Sequence, residues 1–252
     1  MKAVIHAIEI LIAVAGIGMA WHIYVTVFDI PPFLLPAPAS VASAIWAMAA
    51  SGQLWSNLAY TLGNLIIGFA IGAGTGVAAG LGLARSPKVE AALEGPLLFL
   101  QTAPKIALAP LFVIWFGLGA TSKIVLIVSL VFFPVMIGML VGIRGIDRQF
   151  LDLAKLLKLS TWQLFRRIEL PAAMPELFVG LRIGAVQAVV GAILAEWMSG
   201  QKGLGYLMTY ATATYRTPML FAAVILTVAL GLAVYSIVDK AERRLLSWRD
   251  DR

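Results

Sequence analysis

The sequence predicts an all-α integral membrane protein of about six transmembrane helices, with two amphipathic helices held outside the bilayer. Three observations carry this. Of 252 residues, 61% are hydrophobic and 13% are charged, about half the roughly 25% charge of a soluble domain. Apolar runs close to the ~20 residues a bilayer requires recur along the chain. One long stretch, Asp147 to Glu176, breaks that pattern with nine charged side chains. At roughly 2.5–3.5 kcal/mol for each charge at the bilayer centre, burying it would cost on the order of 25 kcal/mol. A single domain over residues 1–252 is expected, with a polar loop at about 145–175.

Span 1 is expected from Val4 to Phe28. Its short positive start resembles a secretory signal, but the run is long, contains Glu9 and lacks a clear small-x-small cleavage site, so it reads as an uncleaved span. His6 and His22 on it read as packed or interfacial. Four prolines then forbid a regular helix in DIPPFLLPAP. Ala39 to Ala50 suits a short surface helix, with Trp46 and Trp55 at the interface. Span 2 runs from about Ser56 to Ala84. Its glycines 68, 72, 76 and 80 fall on one stripe, where a neighbouring backbone can approach. A nucleotide-binding glycine loop is excluded because no Gly-Lys-Ser/Thr follows.

Span 3, about Val89 to Phe116, is expected to break at Pro96, Pro104 and Pro110. Backbone freed by such a break must face protein or a water-filled cavity. Lys105 is the one lysine placed well inside a span. It is a functional candidate, or it snorkels or neutralises a partner such as Glu94. Gly117 to Lys123 reads as a tight loop, Ile124 to Ile143 as span 4, Leu177 to Trp197 as span 5 and Pro218 to Val238 as span 6. Met198 to Thr217 reads as a polar, glycine-punctuated loop, and the end, DKAERRLLSWRDDR, as a charged helix or tail. Candidate translocation-pathway residues are Gln101, Lys105, Gln187 and Glu196. Glu196 also suits holding the outer end of span 5.

Within the polar stretch, Phe150, Leu153, Ala154 and Leu157 fall at i, i+3, i+4 and i+7, one face of a helix. Ser160 and Gln163 have capping-box spacing and start a second helix carrying Trp162, Phe165 and Ile168. Leu170-Pro171 should stop it. The balance of Lys and Arg places this stretch and both termini in the cytoplasm. The absence of cysteine excludes disulfides and thiol chemistry. No His-Glu-x-x-His or Gly-x-Ser-x-Gly occurs, and no aromatic-basic interleaving suggests nucleic acid. A self-sufficient secondary carrier or channel is the alternative to a transport subunit. It would require an internal repeat and several buried charges, and it leaves the amphipathic pair without a role.

The stretch resembles the coupling loop of permease subunits of ATP-binding-cassette (ABC) importers, which reads E-A-A, three residues, Gly, nine residues, I-x-L-P. Asp152-Leu153-Ala154 stand for E-A-A and Ile168-x-Leu170-Pro171 closes the pattern, while Lys158 occupies the glycine position. A left-handed backbone there would cost lysine roughly 1–2 kcal/mol, so a differently shaped turn near Leu159-Ser160 is expected. PKIALAPLFVIWFGLGATSK, FFP, FLLPAPASVASAI, GLRIG and AEW are similar to the nitrate, sulfonate and taurine branch, which includes transporters of pyrimidines, riboflavin and aromatic acids. The resemblance implies a non-catalytic type I permease in the bacterial inner membrane, importing a small anionic or aromatic/heterocyclic solute. It implies a second permease copy, a periplasmic or lipid-anchored substrate-binding protein, and two ATPase subunits that carry ATP and Mg; no cofactor is implied in this chain. The ATPase would receive the amphipathic pair through Phe150, Leu153, Leu157, Trp162 and Phe165.

Overall fold

The computed structural model describes residues 2–247, and every regular element among them is helical: α1 (Lys2–Val27), α2 (Pro38–Ala50), α3 (Gln53–Arg85), α4 (Pro87–Thr102), α5 (Ala109–Phe116), α6 (Ala120–Arg144), α7 (Arg148–Leu156), α8 (Thr161–Leu164), a π-helical turn (Phe165–Glu169), α9 (Leu170–Ser199), α10 (Leu204–Ala213) and α11 (Thr217–Leu245). Among these residues α3, α6, α11 and the continuous stretch Thr161–Met198 are long and apolar enough to cross a membrane. The expected span 1 falls on α1, of which Ala15–Val27 is an apolar segment shorter than those four, and the expected span 3 falls on the broken pair α4–α5. Residues 248–252 of the expected tail, and the side chain of His6, lie outside the described residues. His22 is exposed on α1.

Helix α6 is packed between α3 and α9. Small residues allow this. A Cβ on Gly76 would lie 2.8 Å from the Phe132 carbonyl oxygen, and one on Gly80 2.5 Å from that of Met136. An adjoining face of α6 meets α9 the same way: a Cβ on Gly138 would lie 2.6 Å from the Glu176 carbonyl oxygen, and one on Gly180 2.5 Å from that of Pro134. Backbone therefore meets backbone along both seams, the geometry that small-residue stripes permit in lipid.

Several boundaries differ from the sequence reading, each for a local reason. Pro96 does not break its span; it sits inside α4. The break is confined to residues 103–108, turned by hydrogen bonds from the Ala107 and Leu108 N–H groups to the Pro104 carbonyl (2.8 and 3.2 Å). Pro110 opens α5, where its missing N–H is not needed. Nor does Pro171 end the second amphipathic helix. The π turn ahead of it routes the Leu170 N–H to the Phe165 carbonyl, the ladder shifts by one residue, and the helix runs on into α9. The expected loop at 198–217 is largely helical: Leu204, Leu207, Met208 and Ala211 face the core as α10. Lys123 was expected in a loop. It lies in the first turn of α6 and is 1% exposed, its ammonium donating to the carbonyls of Leu118 (2.9 Å) and Gly119 (3.1 Å).

At this far end of the bundle, opposite the α7–α8 loop, three side chains receive the chain as it enters α10. The Asn57 side-chain oxygen accepts from the Gly203 N–H (2.7 Å), the Thr61 hydroxyl from Leu204 (2.9 Å) and the Glu196 carboxylate from Gly205 (2.9 Å). Thr61 in turn donates to Glu196 (2.8 Å). Helix N-termini leave their first N–H groups without intrahelical partners; here α3 and α9 provide those partners. Gly203 has φ +113°, and a Cβ there would fall on the Glu196 carboxylate. Lys123 lies within electrostatic reach of Glu196, so the buried carboxylate is not electrostatically alone.

Two expectations follow. Gly76→Leu and Gly80→Leu should destabilise the detergent-solubilised protein by roughly 1–3 kcal/mol or more. Gly74→Leu and Gly82→Leu, whose added Cβ meets nothing within 4 Å, should leave the melting temperature nearly unchanged in a fluorescence-detected thermal scan. Thr61→Val should cost about 1–3 kcal/mol through the stranded Leu204 N–H. Glu196→Ala, which also strips Lys123 of its compensating charge, should cost about 3–5 kcal/mol. Thermal unfolding of the two variants checks that order.

Candidate functional site

Two features stand out: the loop carrying α7 and α8, and a cavity midway along α6. Asp147 caps α7 by accepting from the Gln149 N–H (3.0 Å). The α7 sequence places Phe150, Leu153 and Leu157 on its exposed side, at 57%, 48% and 62% exposure, with Leu156 beside them at 80%. Ala154 was expected on that face. It is 4% exposed and points back toward the bundle. Asp152 accepts from Lys155 (2.9 Å), and that hydrogen bond holds its carboxyl below the usual range.

The turn after α7 resolves the question posed by Lys158. Lys158 adopts the left-handed conformation (φ +50°) that glycine would take, so the expected differently shaped turn is not what forms. The Leu159 N–H reaches the Ala154 carbonyl (3.0 Å) and the Lys158 N–H reaches that of Lys155 (3.0 Å), the paired bonds of a Schellman motif. Ser160 then caps α8 in a full capping box, its hydroxyl accepting from the Gln163 N–H and the Gln163 side chain accepting from the Ser160 N–H.

Trp162 is 66% exposed on the outer side of α8. Phe165 is not: it packs against the core, with its ring 5.8 Å from that of Trp162 and the Arg85 guanidinium 5.7 Å above it. Arg85 also pairs with Glu169, which is buried in the π turn. Ile168, Leu170 and Pro171 are half-buried where the π turn joins α9.

The cavity, about 420 Å³, is lined by Gln101, Lys105 and Gln187 together with Phe133, Gly180 and Ile183. Three of the four pathway candidates thus meet in one place. Lys105 comes from the break between α4 and α5. Its ammonium donates to the Gln101 carbonyl (2.8 Å) and lies 4.7 Å from the centre of the Phe133 ring, an arrangement worth about 0.5–2 kcal/mol as burial increases. No ion pair to Glu94 forms among the described residues. Glu196 is not on this cavity; it belongs to the far-end cluster. The sequence reading missed Lys123 and also Arg182, which reaches from α9 to Glu242 (3.0 Å) and Asp239 (3.6 Å) on α11. The charge of Arg182 within an apolar span was the available signal.

Comparison with known proteins agrees with this architecture. Residues 72–247 match the family described as the binding-protein-dependent transport system inner membrane component. The chain is 36% identical to the riboflavin transport system permease protein RibX of Chloroflexus aurantiacus, over 90% of this chain and 85% of the relative. It is 35% identical to the putative aliphatic sulfonates transport permease protein SsuC of Bacillus subtilis, over 86% and 79%. Among solved structures, the inward-facing MetNI methionine ABC transporter shares the fold, with a TM-score of 0.63 at 18% identity, covering 77% of this chain and 95% of the other. The family is non-catalytic, with ATP handled by a separate ATPase, and the alternative of a self-sufficient carrier falls away. The chain belongs to the binding-protein-dependent inner membrane components, the permease subunits of ABC importers.

Proposed function

We propose that this permease couples to its ATPase through the exposed side of α7 and α8 and passes a small organic anion, or an aromatic or heterocyclic solute, along the cavity beside α6. The carrying observation is the set Phe150, Leu153, Leu157 and Trp162, exposed on the charged α7–α8 segment. An amphipathic helix with such anchors fits a groove on a partner. On this reading the loop and both termini face the cytoplasm, in accord with the excess of Lys and Arg at that end. Two copies of the chain would enclose the pathway, and an external binding protein would deliver the solute.

Lys105 supports the solute class. It is a cation at the level of a broken helix, held by a carbonyl and a ring and facing a mostly apolar cavity whose wall also carries the Glu176 carboxylate, with which it makes no ion pair among the described residues. Such a group attracts an anion and can be left behind by it, which conduction requires. The two amides, Gln101 and Gln187, add neutral donors and acceptors along the same wall. Of the relatives' named cargoes, an aliphatic sulfonate suits the Lys105 cation, and riboflavin, a neutral heterocycle, suits the apolar surface and the two amides.

Phe150→Asp and Trp162→Asp should each weaken ATPase association by about 2 kcal/mol or more, the size of an interface anchor, while the spans stay folded. Co-purification of the ATPase subunit, read beside the monodispersity of the variant, checks this; full co-purification would reassign the face. In proteoliposomes with the complete transporter, Lys105→Ala should lower uptake about tenfold or more if it supplies roughly 1.4 kcal/mol to the passing anion. An unchanged uptake rate removes Lys105 from the pathway.

A further inference from the structure

Helix α7 does not rest directly on the bundle. Behind it lies a second cavity of about 480 Å³, bounded by α7, the ends of α3 and α6, and the π turn. Its apolar lining comes from both sides, Ile143 and Ile146 at the end of α6 and Leu151 and Leu159 on the α7 side. Four cations line it: Arg85, Arg144, Arg148 and Lys155, against one lining carboxylate, Glu169. Carboxylates already engage three of the four: Glu169 pairs with Arg85, Glu90 with Arg144 and Asp152 with Lys155. Arg148 has no ion pair among the described residues, although the Asp152 carboxylate senses its charge. Arg144 meets Glu90 through one nitrogen only, which leaves further donors of its five-donor guanidinium uncommitted.

We propose that this cavity binds a phosphate group, with Arg148 and Arg144 as its ligands, and that the group is the head of an anionic phospholipid. The chemistry is that of a phosphate held by guanidinium forks. The apolar lining favours an amphiphile over a free ion. So does the position, where the last turns of two spanning helices leave the membrane and juxtamembrane cations meet anionic headgroups. A filled cavity would also make α7 a stiff strut against α3 and α6, whereas an empty one would absorb movement of the loop; that consequence rests on the coupling role proposed above, but the binding does not.

The test begins with the full permease purified with its ATPase from native membranes, followed by native mass spectrometry of bound lipid. The wild type should retain anionic phospholipid. Arg148→Gln should lower that occupancy about fivefold, as expected for one lost cation near a headgroup. Arg144→Gln combined with it should abolish retention, and Lys202→Gln at the far end should leave it unchanged. The same proteins are then placed in nanodiscs of phosphatidylcholine alone, or of phosphatidylcholine and phosphatidylglycerol in equal parts, and protection of the α7 amides is followed by hydrogen exchange. Protection conferred by phosphatidylglycerol and lost in Arg148→Gln supports the lipid. Protection conferred in phosphatidylcholine by added inorganic phosphate overturns the lipid source and keeps the phosphate site. Equal lipid retention and equal protection in wild type and Arg148→Gln overturn the proposal, whether or not the ATPase docks on α7.

Discussion

The constraint on which the rest of the molecule depends is the approach of backbone to backbone on two adjoining faces of α6. In lipid, packing two helices gains little from the hydrophobic effect, since acyl chains are as apolar as leucine. Association rests on close contact. Gly68, Gly72, Gly76 and Gly80 bring α3 onto one face of α6, and Gly138, Gly142 and Gly180 bring α9 onto the face beside it. Side chains such as Ile127, Val131 and Val135, buried between the three helices, then have no space to change rotamer independently. The three helices can shift together, or slide along a seam, far more readily than they can deform one at a time.

That stiffness gives meaning to the two ends. From Thr161 to Met198 the chain is one continuous helical stretch, beginning in the amphipathic loop and ending beside the far-end cluster. At the loop end, Arg85 ties α3 to the same rod by pairing with Glu169 and covering Phe165. At the far end, Asn57, Thr61 and Glu196 fix the start of α10 to α3 and α9. The central cavity lies between these clamps, against the α6–α9 seam. A displacement at the loop therefore has a continuous path of packed helix and hydrogen bonds to both the cavity and the far end. The stretch from the π turn through Pro171 and Pro175 is the exception: its shifted ladder and the two missing N–H groups leave the rod fewer α-helical bonds to break there.

Much of this was legible in the sequence, because the signals were local and periodic. Glycine every fourth residue announced a close seam, and Ser160 with Gln163 announced a cap. What the glycines could not reveal was which helix filled the seam, since that depends on residues such as Phe132 and Met136 more than fifty positions away. Helix α10 was overlooked even though Leu204, Leu207, Met208 and Ala211 fall at i, i+3, i+4 and i+7; tyrosines, threonines and flanking glycines masked a short buried helix as a polar loop. Lys123 was misplaced because a charge next to an apolar run is ordinarily read as its boundary. Its burial is met by two local carbonyls, those of Leu118 and Gly119, and by the field of the distant Glu196 carboxylate, and only the last leaves no local trace. Ala154 shares its helical phase with Phe150 and Leu153, yet it is buried on the wall of the cavity behind α7.

Lys158 shows how the local and the tertiary combine. A left-handed lysine costs roughly 1–2 kcal/mol relative to glycine, and nothing in the residue itself favours it. The surrounding hydrogen bonds do: two carbonyls at the end of α7 would otherwise lack partners, and the N–H groups of Lys158 and Leu159 supply them only if residue 158 turns left-handed. The side chain points into solvent, so its charge carries no desolvation cost. Glycine would reach the same turn with less strain but with many more conformations to lose on folding. Lysine therefore gives a turn that is costlier in native strain and stiffer in its alternatives. That stiffness holds α7 and α8 at one angle, and the capping box at Ser160 fixes the other side of the same turn.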